Sequence, residues 1–307
     1  MFINILILLA GMFLMMRGAD IFVDGASYMA KKFHIPEIII GLTIVAMGTS
    51  APEAAVSISS VIQGANGVGV GNVLGSNIAN ILFILGITAM ISALPVQKNT
   101  VRFEIPFVCF ISVLLMGMGA LFGQINFGCA FILCLLFCLF LFYLFKVSTD
   151  SIETPDTTKP MSVWKMVLFI IFGIAALVLG SELTVKSAVN IANILHISER
   201  VIGLTIIAFG TSLPELVTCI VAAIKKKPDL AIGNIIGSNI FNILFVLGIT
   251  GLIRPIVFES AFLVDSAIGI VAAVLLWIFT YRNFRLGKFS GFLFVLLYVM
   301  YVIYLIK

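Results

Sequence analysis

One stretch of this chain occurs twice. Residues 41–86 contain GLTIVAMGTSAPE and then GNVLGSNIANILFILG; residues 203–248 contain GLTIIAFGTSLPE and then GNIIGSNIFNILFVLG, 162 positions on, without insertion or deletion. Similarity at one fixed offset marks an internal duplication, so the chain is expected to fold as two copies of one unit. Each copy sets a single glutamate, Glu53 or Glu215, in a run that is otherwise apolar and hydroxyl-rich.

The surroundings of those glutamates are greasy. The chain is 62% hydrophobic and 10% charged, whereas soluble domains carry roughly 25% charged residues. Too few charges remain to cover a water-facing surface, so this is an all-α polytopic membrane protein. A transmembrane helix needs about 20 largely apolar residues. Ten runs qualify, at about 2–29, 36–62, 68–92, 101–122, 126–146, 161–192, 199–224, 229–253, 261–281 and 287–306. The short alternating segments of a transmembrane barrel are lacking. The N-terminus, MFINILILLAGMFLMM, has neither a basic leading region nor a small-residue cleavage site and is expected to be the first span.

Basic residues set the topology. Of the 18 Lys and Arg, 13 fall in the connections after spans 1, 3, 5, 7 and 9; Arg200, Arg254 and Lys307 lie on the other side, and Arg17 and Lys186 within spans. The positive-inside rule makes the odd connections cytoplasmic and both termini extracytoplasmic. The loop between spans 2 and 3 is QGANG, while its equivalent between spans 7 and 8 is KKKPD. Five spans per copy reverse the orientation of the second copy, which explains that divergence. Two inverted-topology five-helix repeats are expected, 1–147 and 161–307, joined by the short linker 148–160, with a binding site where they meet at the bilayer midplane. The linker is short and polar, with room for a flexible tether but none for a further domain.

Within span 2, Pro52 lacks an N–H, and its ring clashes with the carbonyl of Gly48, so the helix is expected to kink. Carbonyls from Ala46 to Thr49 then join the hydroxyls of Thr49 and Ser50 and the carboxylate of Glu53. The second set is Ala208 to Thr211, Ser212, Pro214 and Glu215. Irregular backbone at membrane depth persists only where it lines a cavity or is buried in protein. Span 3 adds Ser76 and Asn80 on one helix face; span 8 adds Ser238 and Asn242. The glycines of GVGVGN lack the lysine and strand context of a phosphate loop and are expected to pack spans 2 and 3 closely.

Every potential ligand in this constellation is an oxygen, which suits hard cations; Ca²⁺ takes 6–8 oxygens at about 2.3–2.6 Å. An ionised side chain at mid-membrane costs about 2.5–3.5 kcal/mol, which makes such carboxylates functional by default. Two carboxylates supply −2, the charge that one Ca²⁺ or two Na⁺ neutralise. Ions sharing the same glutamates compete, which is exchange at one site, and a carrier without cargo is penalised when it crosses between access states.

The paired GTSxPE and GNxxGSNxxN motifs resemble those of the cation/Ca²⁺ exchanger superfamily, specifically the prokaryotic sodium/calcium exchangers, over essentially the whole chain. The resemblance implies Na⁺/Ca²⁺ antiport by alternating access, with spans 1 and 6 sliding against the other eight. It implies a Ca²⁺ site of Glu53, Glu215, Thr49 and Thr211. Ser50, Ser212, Ser76 and Ser238, with the carbonyls of Ala46 and Ala208, would serve Na⁺, and Asn80 and Asn242 would line the middle. Many relatives carry aspartate where Asn242 stands, those that co-transport K⁺ among them. The amide removes a third negative charge, so exchange is expected to be K⁺-independent.

Other readings account for less. A Ca²⁺/H⁺ exchanger would use the same carboxylates but has no need of so many hydroxyls and carbonyls. A channel would arise more naturally from an oligomeric ring of acids. No HExxH pair is present, and the serines and cysteines lack a base in their own motifs, so the chain is not expected to be an enzyme. Cys134 and Cys138 lie at i, i+4, yet with Cys109, Cys129 and Cys219 they read as small apolar residues of a bundle. His34 and His196 read as duplicated loop residues. Arg17, Asp20 and Asp24 in span 1, and Glu182 and Lys186 in span 6, are expected to form ion pairs within their own helices. No cofactor, nucleic acid or protein partner is implied; the expected partners are Ca²⁺, Na⁺ and the bilayer, and the expected location is the plasma (inner) membrane of a prokaryote.

Overall fold

A computed structural model describes residues 1–63, 66–150, 162–194 and 208–306. His196, Lys159, Arg200, Lys307, most of the linker and the start of the second motif lie outside the described residues. The helices are α1 (Phe2–Phe33), α2 (Glu37–Thr49), α3 (Ala51–Ile62), α4 (Gly67–Ile91), α5 (Thr100–Phe122) and α6 (Phe127–Asp150). Then follow α7 (Val163–Ile194), α8 (Ala208–Gly210), α9 (Leu213–Ile224), α10 (Pro228–Ile253), α11 (Ala261–Tyr281) and α12 (Lys288–Ile306).

Among the described residues, eight helices are long and apolar enough to cross a membrane, and α2 with α3 makes a ninth across a 49° bend. The run expected at 199–224 is described only from Ala208 onward, as α8 and α9. The bend follows from sequence. Pro52 cannot donate to the helix ladder, and Ser50, at φ −83° and ψ 9°, separates the two segments. Ser212 repeats the break before Pro214 with φ −87° and ψ 6°. α1 ends where His34 turns left-handed at φ 54°, a loop role matching the expectation.

Burial separates centre from rim. The apolar windows of α4 and α10 are 72% and 83% buried, against 17–33% for the other spanning helices. Those outer helices turn Phe142, Trp164 and Leu121 outward, as side chains facing lipid would be.

Glycines set the close approaches. A Cβ on Gly233 would meet Ile38 O at 2.7 Å, and one on Gly237 would meet Leu42 O at 2.5 Å, so α10 lies backbone-to-backbone against α2. Gly69, facing Ser57 O at 3.4 Å, makes only an ordinary contact. Gly69 thus faces span 2 as expected, but the closest approaches of glycine to backbone, at Gly237 and Gly291, join the two copies. Long α1 and α7 run antiparallel: Gly11 meets Gly180, Gly18 meets Gly173 and Gly25 meets Ile170. These glycines recur every seven residues, keeping one face of α1 against its partner.

The connections gather at two ends. β1 (Leu94–Pro95) pairs antiparallel with β4 (Arg285–Leu286), and β2 (Gln124–Ile125) with β3 (Ile256–Val257). The first pair joins two odd connections and the second two even ones. At the odd end Lys225 Nζ lies 2.6 Å from Asp20 Oδ1 and 2.7 Å from Asp24 Oδ1, and Lys227 binds Glu37 at 2.6 Å. Burial alone would lower the pKa of Lys225, but the two carboxylates hold it above its ordinary value. Asp20 and Asp24 thus pair across the halves, while Arg17 sits 5.3 Å over the Phe13 ring, so the pairing expected within α1 is replaced by one to α9. Glu182 and Lys186 do pair within their helix, at 2.5 Å.

Candidate cation-binding site

The broken ends of α2/α3 and α8/α9 bring the two glutamates together. Glu53 is in the first turn of α3 and Glu215 in the first turn of α9, each behind a proline that is free to start a helix. Both carboxylates are fully buried. Their partners cross: Ser50 Oγ donates to Glu215 Oε1 at 2.8 Å, and Ser212 Oγ donates to Glu53 Oε1 at 3.1 Å. Ser212 Oγ also lies 3.3 Å from Ser76 Oγ on α4. Thr49 and Thr211 complete the first ring of hydroxyls, Thr211 beside Glu53 and Thr49 beside Glu215.

Thr49 Oγ1 lies 2.9 Å from Asn234 Oδ1 and 3.1 Å from Val45 O. The Ala46 carbonyl, expected to be loosened by the kink, accepts the Ser50 N–H at 2.9 Å and lies 3.3 Å from Thr49 Oγ1. The bend opens four residues after Ala46, at Ser50, so that carbonyl keeps its helical partner. Ala208 is the first residue of α8. Gly210 O, whose helical donor would have been Pro214, instead accepts Ser181 Oγ from α7 at 2.8 Å.

One turn beyond Ser76 and Ser238, α4 and α10 each widen into a π-helical segment, Ala79–Ile84 and Phe241–Val246, which carries Asn80 or Asn242. Single π turns inside α-helices recur at functional sites. Asn80 Nδ2 donates to Asn239 Oδ1 at 3.0 Å, and Asn242 Nδ2 to Asn77 Oδ1 at 3.2 Å.

Several buried oxygens here have no hydrogen-bond partner: Glu53 Oε2, Glu215 Oε2, Asn80 Oδ1, Asn242 Oδ1 and Ser238 Oγ. Buried polar atoms are normally satisfied, and leaving one unmet costs about 1–3 kcal/mol. Four of these five only accept when the glutamates are ionised, so what they lack is a donor or a cation. Among the described residues no three of His, Cys, Asp and Glu cluster, so a cation here would draw on hydroxyl and amide oxygens beside the two carboxylates. Cys134 packs on Gly248 and Cys138 faces outward, each a free thiol.

Sequence reasoning singled out neither Asn234 nor the hydrogen-bonding role of Asn77 and Asn239. Their signal was present: each is an asparagine repeated at the 162-residue offset, Asn234 as the partner of Asn72.

The family model described as sodium/calcium exchanger protein matches this chain twice, over residues 3–146 and 165–307. The putative antiporter CaxA of Alkalimonas amylolytica is 39% identical, with 94% of this chain and 92% of that protein covered. The sodium/calcium exchanger MaX1 of Methanosarcina acetivorans is 31% identical over 99% of this chain and 98% of its own length. A solved structure of the sodium-calcium exchanger NCX_Mj, soaked with 2.5 mM Na⁺ and 10 mM Sr²⁺, superposes with a TM-score of 0.86 at 32% identity, covering 97% of both chains. With two family matches that divide the chain as its duplication does, this protein belongs to the sodium/calcium exchanger family of membrane transporters.

Proposed function

We propose that the chain exchanges Na⁺ for Ca²⁺ across the membrane by alternating access, with both ions as cargo of one site built on Glu53 and Glu215. The observation that carries this reading is the set of buried, unpartnered acceptor oxygens flanking two carboxylates that come from opposite halves. Glu53, Glu215, Thr49 and Thr211 hold Ca²⁺. Ser50, Ser212, Ser76 and Ser238, with the Ala46 and Ala208 carbonyls, serve Na⁺, and Asn80 and Asn242 line the middle. A cation on Glu53 and Glu215 would turn the crossed Ser50 and Ser212 hydroxyls from donors to the carboxylates into ligands, coupling occupancy to contacts between halves. The convergence of carboxylate, amide and hydroxyl oxygens supports a metal cation, which coordinates several oxygens at once.

The arrangement supporting this cycle is ten spans in two inverted halves, 1–147 and 161–307, with 148–160 as linker and both termini outside the cytoplasm. The antiparallel course of the equivalent helices α1 and α7, and the segregation of odd from even connections, support that inversion. The plasma membrane of a prokaryote is the proposed location.

The test is ⁴⁵Ca uptake into vesicles driven by an outward Na⁺ gradient, repeated with a proton gradient alone. Sodium-driven uptake that falls at least about tenfold in Glu53→Gln and Glu215→Gln is expected, since removing a partner from a buried charged set costs several kcal/mol. Uptake driven by protons without Na⁺ would replace the counter-ion; full uptake in the double amide variant would remove the site.

A further inference from the structure

Asn77 and Asn239 belong to no ligand set above, yet both are buried. Asn77 Nδ2 donates to the backbone carbonyl of Asn239 at 3.3 Å, and Asn239 Nδ2 donates to the carbonyl of Asn77 at 3.2 Å. A carbonyl oxygen only accepts, so each side chain must commit its nitrogen to this crossing and turn its oxygen the other way. Those oxygens meet the second pair: Asn77 Oδ1 receives Asn242 Nδ2, and Asn239 Oδ1 receives Asn80 Nδ2. An amide oxygen also only accepts. The nitrogens of Asn80 and Asn242 are therefore committed in turn, and their Oδ1 atoms are left buried without a donor.

We propose that Asn77 and Asn239 are positioning residues that set the amide orientation of Asn242 and Asn80, so that oxygen and not NH₂ is offered to the cation. Two obligate acceptors, the backbone carbonyls of residues 77 and 239, propagate through four side chains and end as two free acceptors. An asparagine amide is nearly symmetric in shape, so packing alone would not choose which end faces a cation. The wrong choice would oppose a cation with two N–H dipoles. The coupling also crosses between halves: Asn77 acts on Asn242, 165 residues away, and not on Asn80, its neighbour one turn on along α4. This inference rests on the reading of Glu53 and Glu215 as the cation site.

The experiment is a Ca²⁺ titration of the thermal unfolding midpoint of the purified full chain in detergent. The half-saturating Ca²⁺ concentration reports affinity without requiring transport. Asn77→Leu should raise it about tenfold, the low end for removing an outer-shell partner of a metal ligand. In an Asn242→Ala background the same change should add less than about twofold, because its target is gone; in an Asn80→Ala background it should keep its full effect. A lower unfolding midpoint without Ca²⁺ and an unchanged half-saturation, or equal effects in both backgrounds, would reduce Asn77 to a packing residue and overturn the proposal. The mirror cycle, Asn239→Leu with Asn80→Ala against Asn242→Ala, decides the same question where Asn77→Leu does not yield folded protein. The double variant Glu53→Gln, Glu215→Gln separates the two levels. A half-saturation unmoved by that variant defeats the site itself; a shifted one beside an additive Asn77 cycle defeats only the positioning.

Discussion

At the scale of single residues, the two kinked motifs share a chemistry but not its surroundings. Pro214 deprives the Gly210 carbonyl of its helical donor, and Ser181 on α7 supplies another at 2.8 Å. In the first half the position 162 residues earlier is Ala19, which has no hydroxyl to give. Ser181→Ala should therefore leave one buried carbonyl unmet and destabilise the protein by about 1–3 kcal/mol. Thermal unfolding would register that loss, whereas a change within about 0.5 kcal/mol would mean that a water takes over the bond. The two glutamates were legible as a buried pair because nothing else excuses a carboxylate in a run so apolar. The hydrogen bonds that hold them were not legible. Ser50 and Glu215 are 165 residues apart, and a hydroxyl's partner depends on tertiary contact.

Elements carry the next level of constraint. α10 reaches α2 through Gly233 and Gly237, and an added Cβ at Gly237 would stand 2.5 Å from Leu42 O and 2.7 Å from Leu42 Cα. Those are backbone atoms and cannot rotate aside. Gly237→Ala should push α10 off α2 and cost about 1–3 kcal/mol of overpacking. Because Ser238 adjoins it and Asn242 lies just beyond, weaker Ca²⁺ binding should accompany the loss; unchanged stability and binding would show that the helices can slide apart freely. The bend in span 2 was legible from Pro52, whose ring and missing N–H disrupt the helix ladder. Its position at Ser50, and with it the bonded state of the Ala46 carbonyl, was not. The π turns at Asn80 and Asn242 also escaped, because widening by one residue leaves no mark in an apolar helical pattern. Of the small residues read as a packing device, Gly69 faces span 2 as expected, but the closer approach of Gly233 and Gly237 to α2 in the other half was not legible, as spacing within one segment does not name the surface it meets.

For the molecule as a whole, the proposed exchange at Glu53 and Glu215 would be governed by the balance of charge. Two buried carboxylates without cargo are costly to carry through the closed state, so Ca²⁺ should not leave unless another cation replaces it. Vesicles loaded with ⁴⁵Ca should retain it in medium free of counter-cations and release it when Na⁺ is added outside. K⁺ at fixed Na⁺ and fixed membrane potential should not speed that release, because Asn242 brings no third charge to the site. Release into counter-cation-free medium, or K⁺ stimulation, would break the charge argument. The ion pairs of Lys225 with Asp20 and Asp24 add an asymmetry at this scale. The equivalent of Lys225 in the first half is the neutral Gln63, which cannot form such an ion pair.

By itself the sequence determined that the chain is a helical membrane protein with a duplicated motif, where the apolar helices of the described residues run, and which carboxylates need a reason to be buried. Those properties follow from composition, hydropathy period and proline chemistry, which act over a few residues or over the chain as an average. Only the tertiary structure decided which partner each polar atom has: serine crossing to the opposite glutamate, asparagine to the opposite backbone carbonyl, and α10 resting on α2. Such choices depend on directions and distances between segments about 160 residues apart, and no local rule of sequence contains them.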